Sequence, residues 1–233
     1  MTGDSGRYAV YFAPDPGSAL ARVGAEWLGY DVAAGASVPQ PRISGISAVR
    51  LYEITEEPRR YGFHATLKPP FVLAEGTDAG ELDEAVAALA DGVPAFVAPK
   101  LRLVCFSGFW ALMLSESCPA MDRLAAACVS ELDRFRAPPS TAELARRRSA
   151  GLTRDQDALL EHWGYPYVMQ EFRFHMTLTA RLDPEESAAV GVQLAPIVEP
   201  LCQNLLAVEA ISLFHQRGPD APFRLVHRYP LAG

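Results

Sequence analysis

Residues 172–179, FRFHMTLT, constrain the fold more than any other stretch of this chain. At a period of two, Phe172, Phe174, Met176 and Leu178 fall on one face, and Arg173, His175, Thr177 and Thr179 on the other. That pattern is a half-buried strand with its apolar side on a core and its proton carriers and hydroxyls facing water or a ligand. Residues 61–68, YGFHATLK, have the same form: His64, Thr66 and Lys68 share one side, Tyr61, Phe63, Ala65 and Leu67 the other. Each strand carries His-x-Thr-Leu. The chain has only five His, so two chance matches are an event on the order of 1 in 10,000. One copy would read as an ordinary strand histidine; two copies read as a site.

The rest of the chain predicts an α+β protein. A strand at 8–12 ends at Pro14 and Pro16, and a helix follows over 17–30 with Leu20, Val23, Trp27 and Leu28 at helical spacing. Residues 31–58, rich in Gly, Pro and Ser, read as a long loop with a short strand near 49–54. Asp78 caps a helix to about residue 90, and strands at 100–106 and 109–114 meet at Ser107-Gly108. Helices follow over 119–135, 141–148, 153–163 and from 183, the last interrupted at Pro196. Strands at 206–215 and 223–229 close the chain. The order His strand, helix, strand pair thus occurs twice. It predicts one domain over 1–233 built as two related lobes, each an antiparallel sheet backed by helices. Lobe one comes mainly from 1–135 and lobe two from 169–233, with a helical connection at 136–168 and strands free to cross between lobes.

A net charge of −7 argues against an extended nucleic-acid or anionic-membrane surface, but a few local arginines suffice for a small anionic ligand. No apolar run is long enough to span a bilayer, and residues 1–6 do not read as a signal peptide. Cys105, Cys118, Cys128 and Cys202 lack C-x-x-C spacing and read as reduced, mostly buried thiols of a cytoplasmic protein. No motif with metal-ligand spacing is present, so no metal or cofactor is expected, and a metallohydrolase is disfavoured.

Two imidazoles on facing strands suit paired acid–base work near neutral pH. Displacement at phosphorus needs a base for the attacking hydroxyl, an acid for the leaving oxygen, and donors for the non-bridging oxygens. His64 and His175 supply the first two, in either assignment, while Thr66 and Thr177, two residues on along each strand, can donate to the phosphate. His162, His215 and His227 have no companion motif and read as surface or strand-edge residues.

At HATL and HMTL the chain resembles the two-histidine (2H) phosphoesterase superfamily, defined by two His-x-Thr/Ser-x motifs with an apolar fourth residue. Longer matches at RRYGFHATLKPP, FRAP, AELARRR, WGYPY and FRFHMTLT are similar to a bacterial branch encoded beside phosphonate-utilisation genes. The resemblance implies a bilobal α+β fold, its two antiparallel sheets pseudo-symmetric and backed by helices around a central cleft, and metal-independent hydrolysis of a small cyclic phosphate. Its substrate would be a 2′,3′-cyclic nucleotide or a sugar cyclic phosphate. Candidate substrate contacts are Arg173 and Lys68 on the histidine faces, and Arg60 and Tyr61 at entry to the first motif, although alternation puts Tyr61 on the core side. Arg146-Arg147-Arg148 reads as a solvated helix face or a lid, and Trp163, Tyr165 and Tyr167 as packing or a base-stacking edge. Two other functions stay open: a non-catalytic binder of a phosphorylated small molecule, and an RNA-end processing or ligase-like enzyme. Oligomeric state is not readable.

Overall fold

The computed structural model describes residues 6–233. In chain order the first half runs β1 (Arg7–Phe12), α1 (Ala19–Leu28), β2 (Tyr30–Asp31), β3 (Ala36–Ser37), α2 (Ala48–Ile54), α3 (Glu56–Tyr61), β4 (Ala65–Phe71), α4 (Ala79–Asp91) and β5 (Phe96–Ala98). It continues with β6 (Leu101–Phe106), β7 (Phe109–Leu114), α5 (Pro119–Glu131), α6 (Thr141–Arg148), α7 (Arg154–Trp163) and β8 (His175–Thr177). The last elements are α8 (Pro184–Val198), β9 (Leu206–Val208), β10 (Ala210–Gln216) and β11 (Arg224–Pro230).

Seven strands form one sheet in the order β11-β10-β1-β4-β8-β7-β6, with antiparallel neighbours throughout. The two expected antiparallel arrays are therefore continuous, but only just. β4 and β8, the strands of the two motifs, share a single partnered pair, Ala65 with Met176. The closing hairpin β10–β11 joins the first motif's side through β1, while β6–β7 joins β8. Each motif thus leans on a hairpin from the other end of the chain.

Alternation explains the layers. Val10 and Phe12 of β1, Leu67 of β4, Met176 of β8, Leu112 of β7 and Leu213 of β10 face the main core. There they meet Leu82 and Val86 of α4, Met121 and Leu124 of α5, and Val190 and Leu194 of α8. Burying each such side chain contributes about 1.5–3 kcal/mol, which holds the helices on this face. The opposite face of the first array carries a smaller cluster of Ala9, Tyr11, Ala13, Phe214 and Phe223. Helix ends follow the sequence: Asp78 and Glu81 form a capping box for α4, as Thr153 and Gln156 do for α7.

Several expectations are corrected. Residues 49–54 are helical, because Ser47 caps the segment and Leu51 and Ile54 bury at helical spacing while β-branched Val49 is exposed. The segment before the first motif is also helix, with Tyr61 its last residue, so the strand starts only at Ala65. The second strand shrinks to His175–Thr177. Pro196 lies inside α8 rather than breaking it. Cys118, Cys128 and Cys202 are buried free thiols, whereas Cys105 is exposed.

Candidate active site

The single Ala65–Met176 pair is what brings the motifs together. Both residues are fully buried toward the core, so by alternation their neighbours His64, Thr66, His175 and Thr177 leave on the opposite face. An antiparallel register sets the two His-x-Thr units head to tail across the junction.

Each imidazole is held by the same device. Gly62 ends α3 with φ +76°, and a Cβ there would overlap the Val32 side chain, so glycine is required for the chain to reverse. The reversal aims the Gly62 carbonyl at His64 Nδ1, 2.9 Å away. His175 Nδ1 meets the Arg173 carbonyl at 2.7 Å. A carbonyl only accepts, so Nδ1–H donates in both and the neutral tautomer leaves Nε2 as the acid–base atom. His64 Nε2 lies 3.1 Å from Thr66 Oγ1, whose hydroxyl can donate to it.

Aromatic walls surround both rings. His64 stacks on Tyr11 with centroids 3.7 Å apart, with Tyr61 and Phe214 at 6.3 Å. His175 sits 5.9 Å from both Phe106 and Phe109, which flank the β6–β7 turn. In that turn Ser107 and Gly108 both have positive φ, the primed geometry that matches strand twist. Desolvation pushes His64 down to about 4, its carbonyl bond opposing and the nearby His175 charge adding. Burial also lowers His175, against the Arg173 carbonyl.

The other candidates divide. Tyr61 stacks on Phe223 at 5.3 Å and faces His64, not the main core. Arg173 is exposed and curls back, donating from Nη1 to the Gln170 and Phe172 carbonyls. Arg60 is exposed, and its carbonyl receives the Phe223 N–H. Lys68 departs from the sequence expectation: it is 1% exposed, donating to the Val129 carbonyl at 3.1 Å with Asp133 at 3.6 Å. The cause is a bulge. One step on β1, from Tyr11 to Val10, spans two residues of β4, from Thr66 to Lys68, so Leu67 and Lys68 both turn inward. Burial depresses the Lys68 ammonium to about 8, with Asp133 opposing. Thr179, on the same face of the predicted strand, is buried and accepts from the Trp110 N–H.

Tyr11, Arg7, Phe214 and Phe223 belong to the site's surroundings and were not singled out from sequence. Alternation from Arg7 to Tyr11 was legible, but only the pairing of Tyr11 with Thr66 places that face beside His64. Arg147 lies 4.6 Å over the Tyr165 ring, and burial raises the Tyr165 hydroxyl.

The fold and site define an α+β protein with paired His-x-Thr strands at the centre of an antiparallel sheet. Residues 66–224 match the family described as "Protein of unknown function (DUF1045)", and the chain belongs to that family. It is 38% identical over 240 residues to a protein of Janthinobacterium sp. (strain Marseille) named ribose 1,5-bisphosphate phosphokinase PhnN, covering 97% of this chain and 51% of that one. A protein of the same name from Laribacter hongkongensis (strain HLHK9) is 33% identical over 219 residues, covering 94% and 50%. The chain therefore spans about half the length of these curated relatives. Among solved structures, E. coli LigT complexed with NADP+ is similar at a TM-score of 0.43 and 13% identity, over 97% of this chain and 98% of that one. No helix among the described residues is long and apolar enough to cross a membrane.

Proposed function

We propose that the chain is a phosphoesterase that opens a small cyclic phosphate without a metal, by acid–base catalysis between His64 and His175. The observation that supports it is the matched presentation of two imidazoles, each with Nδ1–H on a main-chain carbonyl and Nε2 left for proton transfer.

The different burial of the two rings supports a division of roles. His64 is the more strongly depressed and takes the proton of the attacking water as base. His175, less depressed, is the imidazole that takes a proton from solvent more readily once an arriving phosphate anion stabilises its charged form, so it serves as acid. The water oxygen bonds to phosphorus as the ring P–O bond breaks, the water proton goes to His64 Nε2, and His175 Nε2–H protonates the leaving oxygen. Thr66 and Thr177 donate to the non-bridging oxygens. The phosphokinase name of the relatives does not transfer through a phosphate-binding loop: the chain's two lysines, Lys68 and Lys100, follow Leu67 and Pro99 rather than a glycine.

The test is hydrolysis of 2′,3′-cyclic nucleotides and ribose cyclic phosphates in chelator, with His64→Ala and His175→Ala beside the wild type. Expected is turnover that survives chelator and falls by about a hundredfold or more in each variant. Loss in chelator, or full activity in either variant, would overturn the assignment. Tight binding without turnover, lost in both variants, would instead make the protein a binder.

A further inference from the structure

The two histidines can act on one phosphorus only if their strands keep a fixed spacing, yet β4 and β8 share the single pair Ala65–Met176. One pair leaves the spacing beyond it to other contacts. Past Thr177 the β7–β8 ladder is rewired. Ala111 partners Thr177, so Trp110 and Leu178 come next and would exchange two main-chain bonds in a regular antiparallel ladder. The Leu178 N–H does donate to the Trp110 carbonyl, at 2.8 Å, but the Trp110 N–H goes instead to the Thr179 hydroxyl, at 2.9 Å. The Leu178 carbonyl is thereby released from the sheet, and it accepts from the Trp27 indole Nε1 of α1 at 2.9 Å.

The same helix seats the first motif. Phe63, the residue before His64, is buried with its ring against Gly24, where a Cβ would come within 2.1 Å of it. Gly24 and Trp27 are one turn apart on α1, so Phe63 and Leu178 rest on neighbouring points of one rigid element. The Trp27 carbonyl accepts from Gln40 Nε2 at 2.7 Å, and the same nitrogen donates to Thr55 Oγ1 at 2.9 Å, at the start of α3. α3 runs on to Gly62, whose carbonyl holds His64. Just past Thr179, the Ala180 N–H donates to the Ile54 carbonyl at the end of α2, 2.6 Å away. The exit of the second motif and the entry to the first are thus tied to the same helices, outside the sheet.

We propose that Trp27 is a positioning residue for the phosphoesterase reaction: by holding the Leu178 carbonyl, its indole N–H fixes His175 and Thr177 relative to His64. The inference rests on the acid–base reading of the two histidines. Trp27 lies in the main core, beneath the histidine face, and acts only through the strand it holds. Thr179 assists by withdrawing the Trp110 N–H from the ladder, which leaves the Leu178 carbonyl to the indole. A buried indole needs an acceptor, and any buried carbonyl would serve that need. The one used here follows the motif threonine by a single residue, in the strand whose spacing from its neighbour rests on one pair. A shift of about 1 Å in a reacting group can cost about a hundredfold in rate, so a brace at this point bears on turnover.

The experiment has two arms. Trp27→Phe removes the N–H and keeps most of the apolar volume. On the 2′,3′-cyclic nucleotide that wild type turns over fastest, W27F should lower kcat by about 10–100-fold with KM within about twofold. The assay is run well below the denaturation midpoint, so that all of the protein is folded. On a p-nitrophenyl phosphodiester, whose leaving group needs no acid, the loss should shrink to about threefold or less, because the brace serves His175. Thr179→Val should copy both effects, and Thr179→Ser, which keeps the hydroxyl, should not, so the test survives if W27F fails to fold. Equal losses on the two substrates, or an unchanged kcat in folded W27F, would reduce the bond to fold stability and overturn the proposal. The second arm needs no turnover: imidazole 1H–15N spectra at neutral pH. In W27F, or T179V in its place, the His175 resonances should shift or broaden while those of His227, at the far edge of the sheet, hold still. An unmoved His175 would overturn the brace even in an active enzyme. A moved His175 in protein that hydrolyses no cyclic phosphate would keep the brace and sink the catalytic reading.

Discussion

His64 and His175 are carried by the same four-residue motif and held by the same carbonyl bond, yet they live in different surroundings. His64 precedes a seven-residue strand paired to β1 and stacks on the fully buried Tyr11. His175 sits on a three-residue strand against a hairpin tip, with Phe106 and Phe109 at 5.9 Å. The comparison teaches that a duplicated motif sets which groups are present, while packing sets how each one ionises. Equal chemistry in unequal solvation would let one site hold both a base and an acid, the division proposed for His64 and His175.

The largest effect that can break this comparison is loss of either imidazole. We expect His64→Ala and His175→Ala each to lower kcat/KM on a cyclic phosphate by roughly 10²–10⁴-fold, read by steady-state kinetics. On a p-nitrophenyl phosphodiester, whose leaving group needs no proton, H175A should recover most of its activity and H64A should not. Equal recovery of both would reverse or erase the division of roles. Next in size is the pH profile: kcat/KM should peak below pH 6.5, with an acid limb near 4 from His64. Tyr11→Leu, which removes the stack, should move that limb upward, whereas Tyr11→Phe should leave it in place.

Stability should echo the same asymmetry. The folded pKa of His64 lies below the unfolded value near 6.5, so the unfolded chain binds the extra proton first and stability falls as pH falls from 6.5 toward 4. The full loss is about 3 kcal/mol, the equivalent of the depression from 6.5 to about 4. Denaturant midpoints of His64→Gln should vary less across that window, and those of His175→Gln should keep most of the wild-type slope. The smallest effect on chemistry belongs to Lys68. Its ammonium serves Val129 and Asp133 beneath the sheet, so Lys68→Met should leave KM unchanged, whereas Lys68→Ala should destabilise by about 2–4 kcal/mol, read by chemical denaturation. A KM raised by K68M would return the residue to the substrate.

Much of this was legible because it is local. The periods of β1, α4, α5 and the β6–β7 hairpin follow from side-chain spacing, and Ser107-Gly108 can be read directly as a turn. Misreadings cluster where a local rule met a tertiary one. Val49 and Ile54 suggest a strand, but burial of Leu51 and Ile54 on one side selects a helix. Lys68 keeps the alternation on paper, yet a bulge ahead of Pro69-Pro70 turns it inward, because proline cannot donate to the ladder.

By itself the sequence determined the α+β class and the two His-x-Thr faces, because residues two apart on a strand share a side whatever lies beyond them. Only the tertiary structure decided that Ala65 meets Met176, that Tyr11 covers His64, and that the hairpins exchange halves. Those are contacts between residues far apart in the chain, set by register and by which surfaces bury against each other, and no local spacing encodes them.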